Sequence, residues 1–229
     1  MIIIQFLFGA SLASFFNLVA VRTLRGESIV SPRSHCDNCN AQLENFDLIP
    51  VFSYLMLKGK CRYCKQEIPG TFFVMELMVG IAAASLDIRQ VRWSFILCLL
   101  ILIALSSFDI IEQKIPSKGI IGLFFICTLS CVHPVRQILV ALFMYIVMQL
   151  MNRKIQWMGS GDIDIYACLW LTAGMPSLLW QTFIACIAAL IYLIVAPWPK
   201  DSRIPFVPFI TIGYFLTYQF HDILLPLIL

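Results

Sequence analysis

The sequence Trp157-Met158-Gly159-Ser160-Gly161-Asp162 lies between two hydrophobic stretches. A second carboxylate, Asp109, ends another hydrophobic stretch in the run Ser106-Ser107-Phe108-Asp109. An ionisable side chain beside or inside a membrane span is costly and therefore indicates function. Two carboxylates at the mouths of separate spans suggest one shared task, because paired carboxylates can share a proton and activate a water molecule, as in aspartic proteases.

The composition predicts an all-α polytopic membrane protein. Of the 229 residues, 60% are hydrophobic and 13% are charged, whereas a soluble domain carries about 25% charged residues. The chain has no basic stripe of the kind that binds nucleic acid. We therefore expect the lipid bilayer, and no nucleic acid, among its partners.

Hydropathy predicts eight transmembrane helices, because a span needs about 20 mostly apolar residues. The predicted spans cover residues 2–21, 71–88, 91–108, 119–132, 135–151, 163–177, 178–196 and 206–228. Gly174 and Pro176 interrupt the sixth of them. Residues 22–70 form the only polar segment long enough to be a domain, so we divide the chain into a first span at 1–21, a cytoplasmic loop domain at 22–70 and a seven-span core at 71–229.

The basic residues predict the orientation of these spans. Thirteen of the sixteen Lys and Arg residues fall on the side of the 22–70 segment, and the other three are Arg89, Arg92 and Arg136. Because basic loops stay in the cytoplasm, we expect Asp109 and Asp162 to face the cytoplasm and both termini to lie outside. The first span has no basic segment before it, so we interpret it as retained rather than as a signal peptide.

Four of the nine cysteines lie in the polar segment, as Cys36-Asp37-Asn38-Cys39 and Cys61-Arg62-Tyr63-Cys64. Two such pairs, 21 residues apart, can bring four thiolates around one tetrahedral Zn²⁺. The alternatives are two disulfides or free thiols, but structural disulfides are rare in the reducing cytoplasm. With no open coordination position the predicted zinc is structural, and it would hold a loop with little hydrophobic core.

The carboxylates have competing interpretations. Gly159 and Gly161 would let the backbone bend and approach a substrate strand, and Asp162 would open the next helix, where the macrodipole favours its charge. The alternative for Asp162 is a plain helix N-cap. Asp164 is its rival for the site, since the two side chains would be about 200° apart on a helix. Glu76 lies inside a predicted span, either as a functional acid or as a buried hydrogen-bonding group.

These motifs resemble those of the type IV prepilin peptidases, the GxGD membrane aspartic proteases, and the resemblance covers nearly the whole chain. The chain departs from the family pattern at two positions. Ser117 stands where the family commonly has Asp, and Asp164 where it commonly has Lys. The matching motifs are Ser14-Phe15-Phe16-Asn17 with Arg22, the two cysteine pairs with Ile49-Pro50-Val51, Glu76, Asp109 with Ile115-Pro116, Gly159-Ser160-Gly161-Asp162, and Ile204-Pro205-Phe206 with Pro208-Phe209.

The resemblance implies a peptidase of the bacterial inner membrane that removes the short basic leader of prepilin or pseudopilin precursors on the cytoplasmic face. The small size of the chain is similar to that of the family members in the competence or pseudopilin-processing branch. Asp109 and Asp162 would be catalytic, supported by Gly159 and Gly161. Many family members also methylate the new N-terminus with S-adenosylmethionine, although the sequence shows no recognisable methyl-donor motif.

Two other classes of function stay open at this point. An ion- or proton-coupled transporter would use the same carboxylates as ion sites. A zinc-anchored assembly module would use the four-cysteine loop, with the aspartates as caps. The sequence does not identify the precursor, the oligomeric state or the aspartate that holds the shared proton.

Overall fold

The structure is a computed structural model that describes residues 1–87, 91–130, 135–155, 158–195 and 204–227. These residues form helices without any β-strand longer than an isolated bridge, which confirms the prediction of an all-α protein. The helices are α1 (Ile2–Arg25), α2 (Phe52–Met56), α3 (Gly70–Ser85), α4 (Trp93–Glu112), α5 (Ser117–Ser130), α6 (Val135–Ile155), α7 (Ser160–Val195), α8 (Val207–Gln219) and α9 (His221–Leu224).

Four helical segments among the described residues are long and apolar enough to cross a membrane: α1, α4, α6 and the Gly174–Val195 part of α7. Helices α3 and α5 are apolar but shorter. The structure thus supports a membrane protein with several spans, and the number of eight stays a prediction. The predicted loops at 89–90 and 133–134, and most of the loop at 197–205, lie outside the described residues.

Helix α7 contains a break at the place where Gly174 and Pro176 were predicted to interrupt the sixth span. The backbone leaves the helical conformation at Gly174, with φ 70° and ψ 177°. A positive φ is accessible to glycine at little cost because it lacks a Cβ atom. Pro176 follows at once, and proline is tolerated in the first turn of a new helix. These two residues therefore set the boundary.

The chain forms two compact units, residues 1–89 and 90–229. In the first unit α1 packs against α3 through small residues. A Cβ atom added at Gly9 would lie 2.5 Å from the Cβ of Ala83, and one added at Gly80 would lie 2.7 Å from the ring of Phe6. Small residues let two membrane helices approach closely, so these glycines determine the spacing of the pair.

Arg22 anchors the polar loop of the first unit to the end of α1. Its guanidinium group is buried and donates hydrogen bonds to four backbone carbonyls, those of Ser28, Ile29, Pro32 and Arg33. A buried charge is tolerated when its donors are satisfied. Arg22 therefore orders the segment that precedes the first cysteine pair.

In the second unit α4 is the most buried helix and contacts α5 and α8, while α7 contacts α5, α6 and α8. The hydroxyl groups of Ser106 in α4 and Thr211 in α8 are hydrogen-bonded at 2.9 Å. Gly213 lets α8 approach the backbone of Gln181 in α7. This packing brings together the end of α4 and the starts of α7 and α8.

Candidate active site and metal centre

Asp109 lies in the last turn of α4. We expected the helix to end at residue 108, but it continues to Glu112, because the apolar stretch is followed by residues that can complete another turn. The side chain is only 6% exposed. A carboxylate is disfavoured at a helix C-terminus, so the position is costly unless another group stabilises the charge.

The N-terminus of α8 supplies that group. The backbone N–H of Val207, the first residue of α8, donates to Oδ2 of Asp109 at 3.0 Å. Free N–H groups and the helix dipole make a helix N-terminus a favourable place for an anion. Helix α8 therefore offsets the unfavourable end of α4 and fixes one oxygen of Asp109.

Asp162 is the third residue of α7 and is 9% exposed. Its Oδ2 atom turns back toward Gly159, where an added Cβ atom would lie 2.8 Å from it. A carboxylate at this position commonly caps the first turn of a helix. Because α7 begins at Ser160, Asp162 is not the N-cap residue, and the N-cap alternative is wrong in this respect. Its carboxylate lies in the first turn and also reaches the cavity described next.

Both carboxylates line one cavity of about 1190 Å³ in the second unit. They are close enough for the charge of Asp109 to act on the carboxyl group of Asp162. The walls include Met148, Tyr166 and Trp170, which offer mostly apolar surface. Two carboxyl groups of like charge in such surroundings disfavour double ionisation, so the form with one proton on the pair is favoured. This arrangement can activate a water molecule.

Close packing explains both glycines of the Gly159-Ser160-Gly161-Asp162 turn. A Cβ atom on Gly161 would lie 2.6 Å from Cδ1 and 3.1 Å from Cβ of Ile115. A Cβ atom on Gly159 would press on the carboxylate of Asp162 itself. Positive φ angles among the described glycines occur at residues 26, 59 and 174, so crowding by neighbours rather than backbone freedom requires glycine here. Ile115 thereby contacts the turn that carries Asp162.

Asp164 faces a different neighbour. Its carboxylate accepts hydrogen bonds from the hydroxyl of Tyr145 at 3.1 Å and from Nε2 of Gln149 at 3.2 Å, both in α6. These neutral donors surround the charge of Asp164, which stands where the family pattern commonly has Lys. The structure therefore brings Asp162 to the cavity with Asp109 and directs Asp164 toward α6.

Sequence reasoning did not identify Tyr145, Gln149 and Asn152, which are polar residues on one face of α6. Asn152 makes two hydrogen bonds to the backbone of Met158, the residue before Gly159. The spacing of these three residues by four and three positions is the one signal that points to a shared face. The role of the Val207 N–H has no side-chain signal at all, because a backbone group supplies it.

The sulfur atoms of Cys36, Cys39, Cys61 and Cys64 all lie within 4.8 Å of one another. Those of Cys36 and Cys64 are 3.8 Å apart. Four sulfurs bound to one Zn²⁺ at about 2.3 Å in a tetrahedron would be about 3.8 Å apart. The cysteines are free rather than disulfide-bonded, so the geometry suits a metal centre and disagrees with the disulfide alternative.

The two cysteine pairs form the same local turn. The N–H of Asn40 donates to the carbonyl of Cys36 at 2.9 Å, and the N–H of Lys65 donates to that of Cys61 at 3.1 Å. Asn40 and Lys65 both have positive φ angles, 54° and 60°. This repetition shows that each pair presents its two sulfur atoms through the conformation of its own short turn.

Hydrogen bonds in the second turn favour a thiolate. The backbone N–H of Gln66 and then the side chain of Asn38 lower the pKa of Cys64 to about 6. Asn38 belongs to the first cysteine pair and lies 3.6 Å from the Cys64 sulfur through its Nδ2 atom. The deprotonated form is the one that binds metal, so Cys64 is suited to ligate a cation. Against the backbone hydrogen bond of Ala41, burial and the neighbouring thiols raise the pKa of Cys39 to about 11 while no ion is bound.

Glu76, the acid predicted inside a span, lies in α3 and accepts a hydrogen bond from the backbone N–H of Val51 at 2.8 Å. Val51 is buried and has a φ of 65°, which is unfavourable for a β-branched residue. The hydrogen bond stabilises this strained turn. A functional role of Glu76 beyond this contact stays a prediction.

Comparison with known proteins identifies the family. The profile of the Bacterial Peptidase A24 N-terminal domain matches residues 7–89, and that of the Type IV leader peptidase family matches residues 95–194. A relative from Bacillus subtilis named prepilin leader peptidase/N-methyltransferase is 26% identical, over 97% of this chain and 95% of the relative.

Two further relatives agree. The type 4 prepilin-like proteins leader peptide-processing enzyme of Escherichia coli is 30% identical, over 81% of this chain and 75% of the relative. A prepilin leader peptidase/N-methyltransferase from Vibrio cholerae is 26% identical, over 79% of this chain and 81% of the relative. No solved structure matches the chain. The two profiles and the full-length relatives together show that the chain belongs to the type IV leader peptidase family.

Proposed function

We propose that the chain is a membrane aspartic endopeptidase that cleaves the short basic leader of type IV prepilin-like precursors. The observation that carries the proposal is that Asp109 of α4 and Asp162 of α7 are both buried and line the same cavity. They are close enough for the charge of one to act on the other. Family membership and the names of the relatives supply the substrate class. They also argue against the transporter alternative. Among the described residues, no contact of the two carboxylates favours that alternative.

The protein acts in the inner membrane, as the four apolar helices and the family indicate. We propose that Asp109 and Asp162 face the cytoplasm and that both termini lie outside. The distribution of the basic residues supports this orientation. Asp109 and Asp162 lie at helix ends rather than at mid-helix, which suits a cut beside the membrane surface.

The two aspartates would have different tasks. The Val207 N–H stabilises the ionised form of Asp109, so we assign Asp109 as the general base and Asp162 as the carboxyl group that holds the proton. Asp109 takes a proton from water while the water oxygen attacks the scissile carbonyl carbon. Asp162 donates a hydrogen bond to the carbonyl oxygen and then its proton. When the C–N bond breaks, Asp109 gives its proton to the leaving nitrogen, and a hydroxyl group of the tetrahedral intermediate returns a proton to Asp162 as the carbonyl re-forms. The pair then holds one proton again.

The cavity walls suit the part of a precursor that follows the cut. In prepilin-like precursors a polar leader is joined to a hydrophobic segment, as the resemblance implies. Met144, Met148, Trp170 and Leu178 line the cavity and can pack against an apolar helix by van der Waals contact. Precursor binding would therefore place the junction of polar and apolar residues beside the carboxylates.

We propose Zn²⁺ as the metal of the four-cysteine cluster, with a structural role. The sulfur separations support four cysteine ligands around one ion, and the lowered pKa of Cys64 favours the thiolate form of that ligand. When bound, zinc joins the two turns into one unit, and it takes no part in peptide cleavage.

We also propose that the chain methylates the new N-terminus, with S-adenosylmethionine as the methyl donor. This activity rests on the names of the relatives, and no residue is assigned to it. Transfer of a radiolabelled methyl group from S-adenosylmethionine to a processed pilin-like peptide tests it. Labelled peptide with wild-type protein supports the activity, and unlabelled peptide under conditions of complete cleavage contradicts it.

Leader cleavage in lipid vesicles tests the peptidase. We expect Asp109→Asn and Asp162→Asn each to lower the rate by at least about a thousandfold, because either change removes the shared proton chemistry. Asp164→Asn is the matched control. Its side-chain oxygen still accepts the bonds from Tyr145 and Gln149, so cleavage should stay near that of the wild type. Normal cleavage by either of the first two variants, or equal loss in all three, contradicts the proposal.

A further inference from the structure

The side-chain amide of Asn152 forms a two-point contact with the turn that precedes α7. Its Nδ2 donates to the carbonyl of Met158 at 2.8 Å, and its Oδ1 accepts the N–H of Met158 at 3.2 Å. A side-chain amide has the same planar donor and acceptor groups as a peptide unit. Two bonds to one residue fix the orientation of its backbone as well as its position.

Met158 is linked to the Asp162 carboxylate through a short series of contacts. The next residue, Gly159, accepts hydrogen bonds from the N–H groups of Asp162 at 3.2 Å and Ile163 at 3.4 Å, which start α7. The carboxylate of Asp162 also turns back against Gly159. Met158 directly precedes Gly159 in the chain, so the backbone orientation that Asn152 fixes at Met158 determines the direction in which the chain enters α7 and places Asp162.

Few other contacts can hold the turn from α6. Among the described residues of this helix only Ala141 is buried. The position of α6 relative to α7 therefore depends largely on polar contacts between the two helices. Tyr145 and Gln149 bind Asp164, which follows the turn and is not among the residues that line the cavity. Asn152 reaches the turn itself, and Asn152, Met158 and Gly159 all line the cavity with the two carboxylates.

A second amide of α6 makes a related contact elsewhere. Nε2 of Gln137 donates to the carbonyl of Trp170 in α7 at 3.2 Å. This is also a bond from an α6 amide to the backbone of α7, but a single one, eight residues beyond Asp162 along the chain. A comparison of substitutions at Gln137 and Asn152 therefore distinguishes a general effect on the packing of α6 against α7 from a specific effect on the turn.

We propose that Asn152 is a positioning residue for leader cleavage: its two hydrogen bonds to Met158 hold the Gly159–Asp162 turn so that the Asp162 carboxylate faces Asp109. The inference rests on the proposed peptidase function. Asn152 does not take part in proton transfer, and it acts on the reaction only through the placement of Asp162.

The test is leader cleavage in vesicles by Asn152→Leu, which keeps the volume of the side chain and removes both hydrogen bonds, and by Gln137→Leu as the matched control. We expect Asn152→Leu to lower kcat by about tenfold to a hundredfold with KM within about twofold, because a small misplacement of a catalytic group costs this much. Gln137→Leu should stay within about twofold of the wild type, and both variants should keep their zinc.

The pH–rate profile gives a second readout. In the wild type the two carboxyl groups interact, so the acidic and basic limbs of the profile lie far apart. If Asn152→Leu separates the carboxyl groups, the limbs move toward each other, and Gln137→Leu leaves them in place. If Asn152→Leu does not accumulate in the membrane, Asn152→Ala removes the same two bonds with a smaller side chain and is read in the same way.

Three results overturn the inference: wild-type kcat in the Asn152 variant, an equal loss in the Gln137 variant, or a rise in KM with unchanged kcat. These results differ from a failure of the proposed function. In that case Asp109→Asn and Asp162→Asn would remain active whatever the Asn152 variant does.

Discussion

The four-cysteine cluster and the carboxylate pair show two different ways of building a site. Each cysteine pair supplies two ligands from one short turn, and the two turns have the same hydrogen bonds and the same positive φ at the fourth residue after the first cysteine. The carboxylates come from α4 and α7, and the N–H that fixes Asp109 comes from α8. One site depends on local backbone conformation, and the other depends on the packing of helices.

This difference predicts how each site fails. Loss of one ligand should abolish the metal centre, since the remaining sulfur atoms cannot complete a tetrahedron. The carboxylate site should instead be sensitive to small changes in packing at residues that carry no chemistry, because those residues determine where Asp162 lies. Three substitutions sharpen this contrast, and we take them from the largest expected effect to the smallest.

Cys36→Ser should lower the zinc content from about one ion per chain to almost none. Structural zinc sites of this kind contribute about 10–16 kcal/mol of apparent binding free energy, and the loss of one thiolate removes most of it. Metal analysis of the purified protein measures the effect. Cys186→Ser is the control, because Cys186 is exposed and lies outside the cluster. Zinc retained by Cys36→Ser, or lost from both variants, contradicts a four-cysteine site.

Gly161→Ala should lower leader cleavage by about tenfold or more, because displacement of the turn by a few tenths of an ångström misplaces Asp162. The added methyl group would lie 2.6 Å from Cδ1 of Ile115. The second substitution Ile115→Ala removes the closest atoms but leaves Cβ at 3.1 Å, so it should restore activity in part.

Gly122→Ala is the matched control for this crowding. Its added methyl group would meet Ile101 at 3.6 Å, an ordinary contact, and alanine is a better helix former than glycine. Cleavage should stay near that of the wild type. Equal activity of the Gly161 and Gly122 variants would show that contact with Ile115 does not position Asp162.

The sequence predicted the clustering of the four cysteines closely because its signal is local. The pairs Cys36–Cys39 and Cys61–Cys64 contain ligand type, spacing and turn within a few residues, so the sulfur atoms could be expected to meet. The class of fold was equally accessible, since apolar stretches of sufficient length predict helices in lipid. The boundaries of the helices were harder to predict from the sequence. Helix α4, for example, extends four residues beyond its predicted end, to Glu112.

The carboxylate site could be predicted only in part. Asp109 and Asp162 were identified by their position at the ends of apolar stretches and by resemblance to a family. The contacts that hold them were not identified, because they depend on packing between helices that are distant in sequence. The Val207 N–H has no side-chain signal, and Asn152 looks like any polar residue near a helix end. The contact of Gly161 with Ile115 joins the first turn of α7 to the connection between α4 and α5.

Asp47→Asn should have the smallest effect. Nε of Arg62 donates to both oxygens of Asp47, at 3.0 and 3.1 Å. The side chain of Arg62 is 43% exposed and that of Asp47 is 3% exposed. Solvent therefore screens the pair from the Arg62 side, and asparagine at position 47 keeps one oxygen that accepts a hydrogen bond from Arg62, so the effect is small. We expect a slight increase in the rate at which a chelator removes zinc, and a smaller difference from the wild type at high salt.

The pH dependence of this effect has a definite sign. The Arg62 guanidinium lowers the pKa of Asp47 below its usual range. The ion pair therefore stabilises the folded loop at pH values above the pKa that Asp47 has in the unfolded chain. This stabilisation is lost only as the pH falls through the lower pKa that Asp47 has in the folded protein. Between pH 6 and 8 the difference between Asp47→Asn and the wild type should be constant. A marked change across this range would contradict the ion pair as its cause.

The most direct test of the central claim is a double-mutant cycle on leader cleavage, measured in vesicles under single-turnover conditions with Asp109→Asn, Asp162→Asn and the combined variant. If the two carboxyl groups share one proton and act as a unit, each single change removes at least about a thousandfold of the rate, and the combined variant is slower by no more than about threefold. Wild-type cleavage by either single variant, or losses that multiply in the combined variant, would contradict a shared catalytic pair.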